Sequence, residues 1–299
     1  MKKGPAGTLI IIGGHEDKQS EREILKAVAE RVAGGKLVIA TVATSLPEET
    51  AEEYVKVFQE LGVKQIDVLD IRNRAQAYDP ASVDKLEEAA AIFFTGGDQL
   101  RITAHLGDSQ VYTRLQEIYL AGGTIIGTSA GASVMSETMM VSGAQDQSHM
   151  IGDLTMAPGF GFLKGVIVDQ HFAERGRIGR LIAAVAHNPR NIGIGIDENT
   201  AIMVDQDKCV TVIGEGAIYV VDGTGISDTN LAEGSQNEVL SCFDIRLHVL
   251  KAGQQYDLNQ RRPYKAQGEL VMPVPTPGGD SLGVETERRA MARDGDGKK

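Results

Sequence analysis

Thr124-Ile125-Ile126-Gly127-Thr128-Ser129-Ala130-Gly131-Ala132-Ser133-Val134-Met135 is the stretch on which the reading of this chain turns. Its first three residues are apolar and strand-like, and Ala132 to Met135 are compatible with a helix. Between them sits Gly127-Thr128-Ser129-Ala130-Gly131, a G-x-S-x-G pattern. A strand that reverses sharply into a helix needs small neighbours, and it aims the central serine outward as a nucleophile. The amide of Ala130 would then stand at a helix N-terminus, free to stabilise an oxyanion.

Working outward, the first half of the chain alternates apolar runs with amphipathic stretches. Strands are expected at Leu9 to Ile12, Leu37 to Val42, Ile66 to Leu69, Ile92 to Thr95 and Thr124 to Ile126. Between them, Ile24, Leu25, Val28 and Val32 line one helical face behind a Ser20/Glu23 capping-box pattern. Pro47 to Leu61 predicts a second helix, Pro80 to about Ala89 a third, and a helix capped by Asp108 or Ser109 a fourth. This order implies an α/β protein with a mainly parallel sheet covered by helices on both faces. In such sheets, sites form at the carboxyl ends of strands. Gly13-Gly14-His15-Glu16-Asp17, Gly96-Gly97-Asp98-Gln99 and the Ser129 turn all fall there.

The second half predicts a helix from about Glu174 to His187. Closely spaced strands follow at Ile192 to Ile196, Ala201 to Val204, Cys209 to Ile213, Ala217 to Val221 and Phe243 to Leu250. They suggest antiparallel hairpins that extend the sheet or form a small second one. Residues 1–272 read as one domain. From Pro273 to Lys299 the chain is rich in proline, glycine and charge and reads as a flexible tail.

Composition narrows the function. The net charge of −11 over 299 residues argues against non-specific nucleic-acid binding. The two cysteines, Cys209 and Cys242, have no metal-site spacing and read as reduced thiols. No metal or other cofactor is expected. The apolar run after the N-terminal lysines is too short for a signal peptide or a membrane span, so a cytoplasmic protein is expected.

A serine needs a base, and the base needs an orienting acid. His171, in Asp169-Gln170-His171-Phe172 directly after strand-like Gly165 to Val168, is favoured over His149 and His15. Asp197 and Glu198 follow the strand-like Ile192-Gly193-Ile194-Gly195-Ile196, and alternation alone does not choose between them. The order serine, histidine, acid differs from that of the α/β-hydrolases and points to another parallel-sheet hydrolase.

Thr95-Gly96-Gly97-Asp98-Gln99, Gly127 to Ala132, Asp169-Gln170-His171-Phe172 and Gly193 to Glu198, taken together, resemble cyanophycinase. That family stands with peptidase E among the serine peptidases on a glutamine-amidotransferase-like fold. The resemblance runs from the first strand to about Tyr264. It implies hydrolysis of cyanophycin, a poly-aspartate backbone bearing arginine on each side-chain carboxyl, to β-aspartyl-arginine. It further implies Ser129 as nucleophile, His171 as base and Glu198 as acid, with Gln99, Asp169, Gln170, Arg175, Arg177 and Arg180 in the substrate pocket and a homodimer as the assembly. Amides of Gly97, Asp98 and Ala130 are expected to form the oxyanion hole. Arginine forks suit the substrate's carboxylates, and Asp169 is the nearest acceptor for its guanidinium. An α-aspartyl dipeptidase like peptidase E, or a non-catalytic binding protein on the same fold, are the competing readings.

Overall fold

The computed structural model describes residues 7–142, 150–206 and 208–265. Strands β1 (Thr8–Ile12), β2 (Lys36–Ala40), β3 (Gln65–Leu69), β4 (Ala89–Phe94) and β5 (Thr124–Thr128) lie side by side in the order β1-β5-β4-β2-β3, all parallel. Helices α1 (Glu23–Val32) and α2 (Pro47–Glu60) cover one face. A short α3 (Pro80–Asp84) precedes α4 (Gln99–Leu106) and α5 (Gln110–Leu120), which cover the other. The alternation of β1 shows why both faces are apolar. Ile10 and Ile12 pack with Ile24, Leu25, Tyr54 and Phe58, whereas Leu9 and Ile11 join the cluster of Ile102, Leu106, Val111 and Leu115.

After β5 come the one-turn helix α6 (Ala130–Ser133) and the hairpin β6 (Thr138–Ser142) and β7 (Thr155–Pro158). They are followed by β8 (Val166–Gln170), α7 (Ile178–His187) and β9 (Ile192–Ile196). Strands β10 (Thr200–Val204), β11 (Cys209–Gly214), β12 (Ala217–Asp222), β13 (Arg246–Lys251), β14 (Gln255–Asp257) and β15 (Arg262–Tyr264) complete the set. Both expectations for the second half are met. β10, β11, β14 and β15 extend the main sheet antiparallel from the free edge of β1, while β13-β12-β9-β8 form a separate sheet in which β8 and β9 run parallel.

The alternation Ile192-Gly193-Ile194-Gly195-Ile196 has a packing reason. The isoleucines face the main core, while a Cβ on Gly193 would fall 2.8 Å from Leu181 Cδ1 and one on Gly195 2.4 Å from the Phe172 ring. Helix α7 and Phe172 therefore press directly on this strand.

Several boundaries differ from the pattern-based expectation. The Ser20/Glu23 box does not cap α1. Instead the Asp17 carboxylate accepts from the amides of Gln19, Ser20 and Arg22, and these bonds, led by that of Arg22, hold its pKa down to about 2. The Pro80 helix stops at Asp84 because β4 already begins at Ala89. Helix α7 starts at Ile178, four residues late. His171 at φ 46 and Gly176 at φ 60 curl the intervening chain into a turn. His149 and the stretch 273–299 lie outside the described residues. Among the described residues, no disulfide joins Cys209 to Cys242. Among the described residues, no helix is long and apolar enough to cross a membrane.

Candidate active site

Ser129 sits between β5 and α6 at φ 53, ψ −109, a conformation rare for a residue with a side chain. The glycines on either side are required by space. A Cβ on Gly127 would meet the Gly131 carbonyl oxygen at 2.1 Å, and one on Gly131 would meet that of Phe94 at 2.4 Å. The turn is braced from beneath by buried Glu16, whose carboxylate accepts from Thr128 Oγ1 at 2.6 Å and from Tyr54 OH at 2.5 Å.

His171 and Glu198 come from the second sheet, at the carboxyl ends of neighbouring β8 and β9. Ser129 Oγ lies 2.9 Å from His171 Nε2, and His171 Nδ1 lies 2.6 Å from Glu198 Oε1. With Nδ1 facing a carboxylate, that nitrogen carries the proton and Nε2 accepts from the serine hydroxyl. The three groups straddle two sheets, yet one short segment holds them all. The Ile12 carbonyl accepts from the Ser129 amide at 3.1 Å, the Gly13 carbonyl from His171 at 2.8 Å and the Gly14 carbonyl from Asn199, next to Glu198, at 2.9 Å.

The environment tunes these groups. Burial pushes the His171 imidazole below the ordinary histidine range, the Glu198 hydrogen bond opposes it, and the Arg175 charge adds to the lowering. For Glu198, partial burial works upward, but hydrogen bonds from His171 and then His15 outweigh it and keep the carboxyl below its usual range. The choice between the two carboxylates is now geometric. Asp197 is turned inward, accepting from the amides of Ala173 at 2.9 Å and Ala217 at 3.1 Å, and does not reach the imidazole. Its burial raises its pKa, with those amides opposing.

A cleft of ≈ 360 Å³ opens over Ser129, walled by Glu16, Tyr54, Gly97, His171 and Arg175. The rest of the expected pocket falls differently. Asp169 is 1% exposed. It takes Arg180 through both oxygens, Nε at 2.6 Å to Oδ2 and Nη2 to Oδ1, and Arg177 at 3.2 Å. Arg177 also donates to the Gln170 carbonyl at 2.5 Å. Asp169 is therefore already occupied by guanidinium groups of its own chain, and Arg177 and Arg180 are buried rather than presented on an open helix face. Gln170 is buried too, with Oε1 lacking a partner among the described residues. Gln99 donates to the Met140 carbonyl at 3.0 Å. Arg175 alone of the three arginines is exposed, and it lines the cleft. The Asp98 amide is spent on the Ala43 carbonyl at 3.0 Å, and its carboxylate caps α4 through Leu100. The Asp98 amide is therefore not free for the expected oxyanion hole.

Residues 9–212 match the model of peptidase family S51. The chain belongs to that family. It is accordingly a peptidase, a hydrolase of serine type. Its relatives include proteins named cyanophycinase. One from Geminocystis herdmanii is 38% identical over 88% of this chain and 98% of its own length. One from Synechococcus elongatus is 36% identical over 90% and 84%, and one from a Nostoc species is 38% identical over 85% and 86%. Among solved structures, a peptidase from an acI-B1 Actinobacterium shares the fold, with a TM-score of 0.64 at 22% identity over 86% of this chain and 98% of that one. A putative peptidase E protein from Listeria monocytogenes shares it at 0.51 and 17%, over 71% and 100%.

Sequence reading missed the weight of the first loop. His15, noted as a minor rival for the base, stands 2.9 Å from Glu198 Oε2. The available signal was the polar run Gly13 to Asp17 directly at a strand end. His15, His171 and Glu198 bring three donor atoms within 4.8 Å of one another. Both Nδ1 atoms are directed at Glu198 oxygens.

Proposed function

We propose that this S51 peptidase is a cyanophycinase, a serine exopeptidase that releases β-aspartyl-arginine from cyanophycin through an acyl-enzyme on Ser129. The observation that carries the catalytic half is the hydrogen-bonded line Ser129–His171–Glu198 at 2.9 and 2.6 Å beside an open cleft. The relatives named cyanophycinase, which align over most of this chain, carry the substrate half.

In this reading His171 Nε2 takes the Ser129 proton as Oγ attacks the carbonyl carbon of the scissile bond. Glu198 stabilises the resulting imidazolium. Amides of Ala130 and Gly97 hold the oxyanion; the first amide of α6 has no carbonyl one turn back to serve. The tetrahedral intermediate collapses as His171 returns the proton to the leaving amine. A water then repeats the cycle with His171 as base, and the acid product leaves Ser129 free. Arg175 is the guanidinium available to a substrate carboxylate. Arg177, Arg180 and Asp169 support the site from beneath by fixing the chain on either side of His171.

The reading also takes residues 1–272 as one domain and the working form as a cytoplasmic homodimer. Sedimentation measures the assembly. Function is tested by incubating the protein with purified cyanophycin and weighing the soluble products. The β-aspartyl-arginine dipeptide is expected. Cleavage of α-aspartyl dipeptides with cyanophycin untouched would transfer the assignment to the peptidase E activity.

A further inference from the structure

Glu198 offers its two oxygens to two different histidines. Oε1 faces His171 Nδ1 at 2.6 Å and Oε2 faces His15 Nδ1 at 2.9 Å. The two imidazoles also meet edge to face, with centroids 5.0 Å apart and planes at 78°. His15 is 72% exposed, so its removal opens no cavity in the core. It is nevertheless held in place. Its backbone sits at φ 48, and the preceding Gly14 and the Asp17 amide are both tied to Asn199, through Gly14 O to Asn199 N at 2.9 Å and Asp17 N to Asn199 Oδ1 at 2.8 Å. The first loop is thus fastened to the residue that follows Glu198.

We propose that His15 is a positioning residue: its Nδ1–H holds the second oxygen of Glu198, so that the first stays on His171 throughout turnover. The inference rests on the reading of Ser129, His171 and Glu198 as nucleophile, base and acid. Glu198 is 27% exposed, and the terminal torsion of a glutamate is broad rather than locked in one well. A carboxylate anchored by one hydrogen bond can swing about that torsion and weaken its bond to the imidazole. An anchor on the other oxygen removes the swing. His15 also draws on the carboxylate's negative charge, which leaves less of it for the His171 proton.

The charged and titratable neighbours of His171 are few. Glu198 and Asp197 come from the loop after β9, Glu174 and Arg175 from the turn after β8, and His15 and Glu16 from the loop after β1. Of these, Glu198 raises the basicity of His171, whereas Arg175 and His15 lower it. Loss of His15 therefore does two separable things. It frees the Glu198 torsion, and it lets His171 protonate at higher pH.

The test compares full-length parent, His15→Ala, His15→Asn and Ser129→Ala across pH, using cyanophycin digestion and the rate of fluorophosphonate labelling at Ser129. His15→Ala should lower kcat about 2- to 12-fold, the worth of one net hydrogen bond, with KM within about twofold. Labelling should slow in parallel, and the acid limb of the pH profile should move upward. His15→Asn keeps an N–H donor without the imidazole. It should restore most of kcat and place the acid limb between those of the parent and His15→Ala. Unchanged kcat and acid limb in His15→Ala, or a change confined to KM, would overturn the proposal. So would equal losses in both variants tracking a lowered Tm, since that marks a purely structural role. If Ser129→Ala still digests cyanophycin, the triad reading fails and takes this proposal with it. A parent that labels at Ser129 beside an unaltered His15→Ala rejects His15 alone.

Discussion

Gly14 lies against the ring of His171 so closely that a Cβ on it would fall 2.3 Å from Cε1 and 2.6 Å from Nε2. The residue that accepts from Asn199 is thus also the floor under the His171 ring. Gly14→Ala should displace the imidazole from Ser129 and lower turnover about 10²-fold, the scale of a roughly 1 Å misplacement. Gly34→Ala is the control. It shares a positive φ of 82° but would meet nothing within 4 Å. It should cost roughly 1 kcal/mol of stability and leave turnover alone. Equal turnover in the two variants, measured alongside Tm, would reject this view of Gly14.

Ser129→Ala should leave the fold intact and remove hydrolysis. Where a serine and its base have been dissected, the loss is about 10⁶-fold. Circular dichroism and a cyanophycin digest on the same sample decide it; a folded, active variant would end the mechanism.

Glu198→Gln and Asp197→Asn should fail in different ways. The first removes imidazolium stabilisation and should lower kcat about 10²- to 10⁴-fold with little change in KM. The second puts an amide where two backbone N–H groups need acceptors. It should cost about 1–3 kcal/mol of stability and affect kcat less. A larger kcat effect at Asp197 would reverse their roles.

The three arginines should separate into one that reads substrate and two that hold the fold. Arg180→Ala leaves the buried Asp169 carboxylate short of its partner and should cost about 3–5 kcal/mol. Arg177→Ala should destabilise in the same direction. Arg175→Ala should keep its Tm and lose about 10- to 150-fold in kcat/KM on cyanophycin, the value of one charge-assisted contact. Parental digestion by Arg175→Ala would remove the arginine from substrate recognition.

The pH profile has a definite sign. A base works when neutral, and burial lowers the His171 pKa. The neutral imidazole therefore persists to lower pH, and the acid limb of kcat/KM should lie below the ordinary histidine value of about 6.5. Arg175→Ala removes a repelling positive charge and should move that limb upward. A parental limb above that value would contradict the burial argument.

Much of this was legible in the chain itself. The apolar strands, the small residues around Ser129 and the polar ends of β8 and β9 each declare their place through local pattern. The arginines did not. Three-residue spacing puts Arg177 and Arg180 on one side of an ideal helix, but that reading assumes a helix from Glu174. The turn at His171 and Gly176 postpones α7 to Ile178 and swings both guanidinium groups onto Asp169. The fate of the Asp98 amide was equally hidden. It depends on the Ala43 carbonyl, brought there from the neighbouring loop after β2. Nor does any spacing rule link His15 to Glu198, which lie far apart in the chain and meet because β1 pairs with β10.

The three successive carbonyls of Ile12, Gly13 and Gly14 have a consequence for how the protein comes into being. They belong to the end of β1 and the loop after it, yet the groups they receive come from residues 129, 171 and 199. Until β10 pairs with β1, that edge of β1 is open, and the Gly14 carbonyl lacks the Asn199 amide. On the reading proposed above, a chain that has not closed these contacts holds no aligned Ser129, His171 and Glu198. Hydrolysis would then depend on contacts that span residues 12 to 199, and a chain cut short of β10 should not cleave cyanophycin.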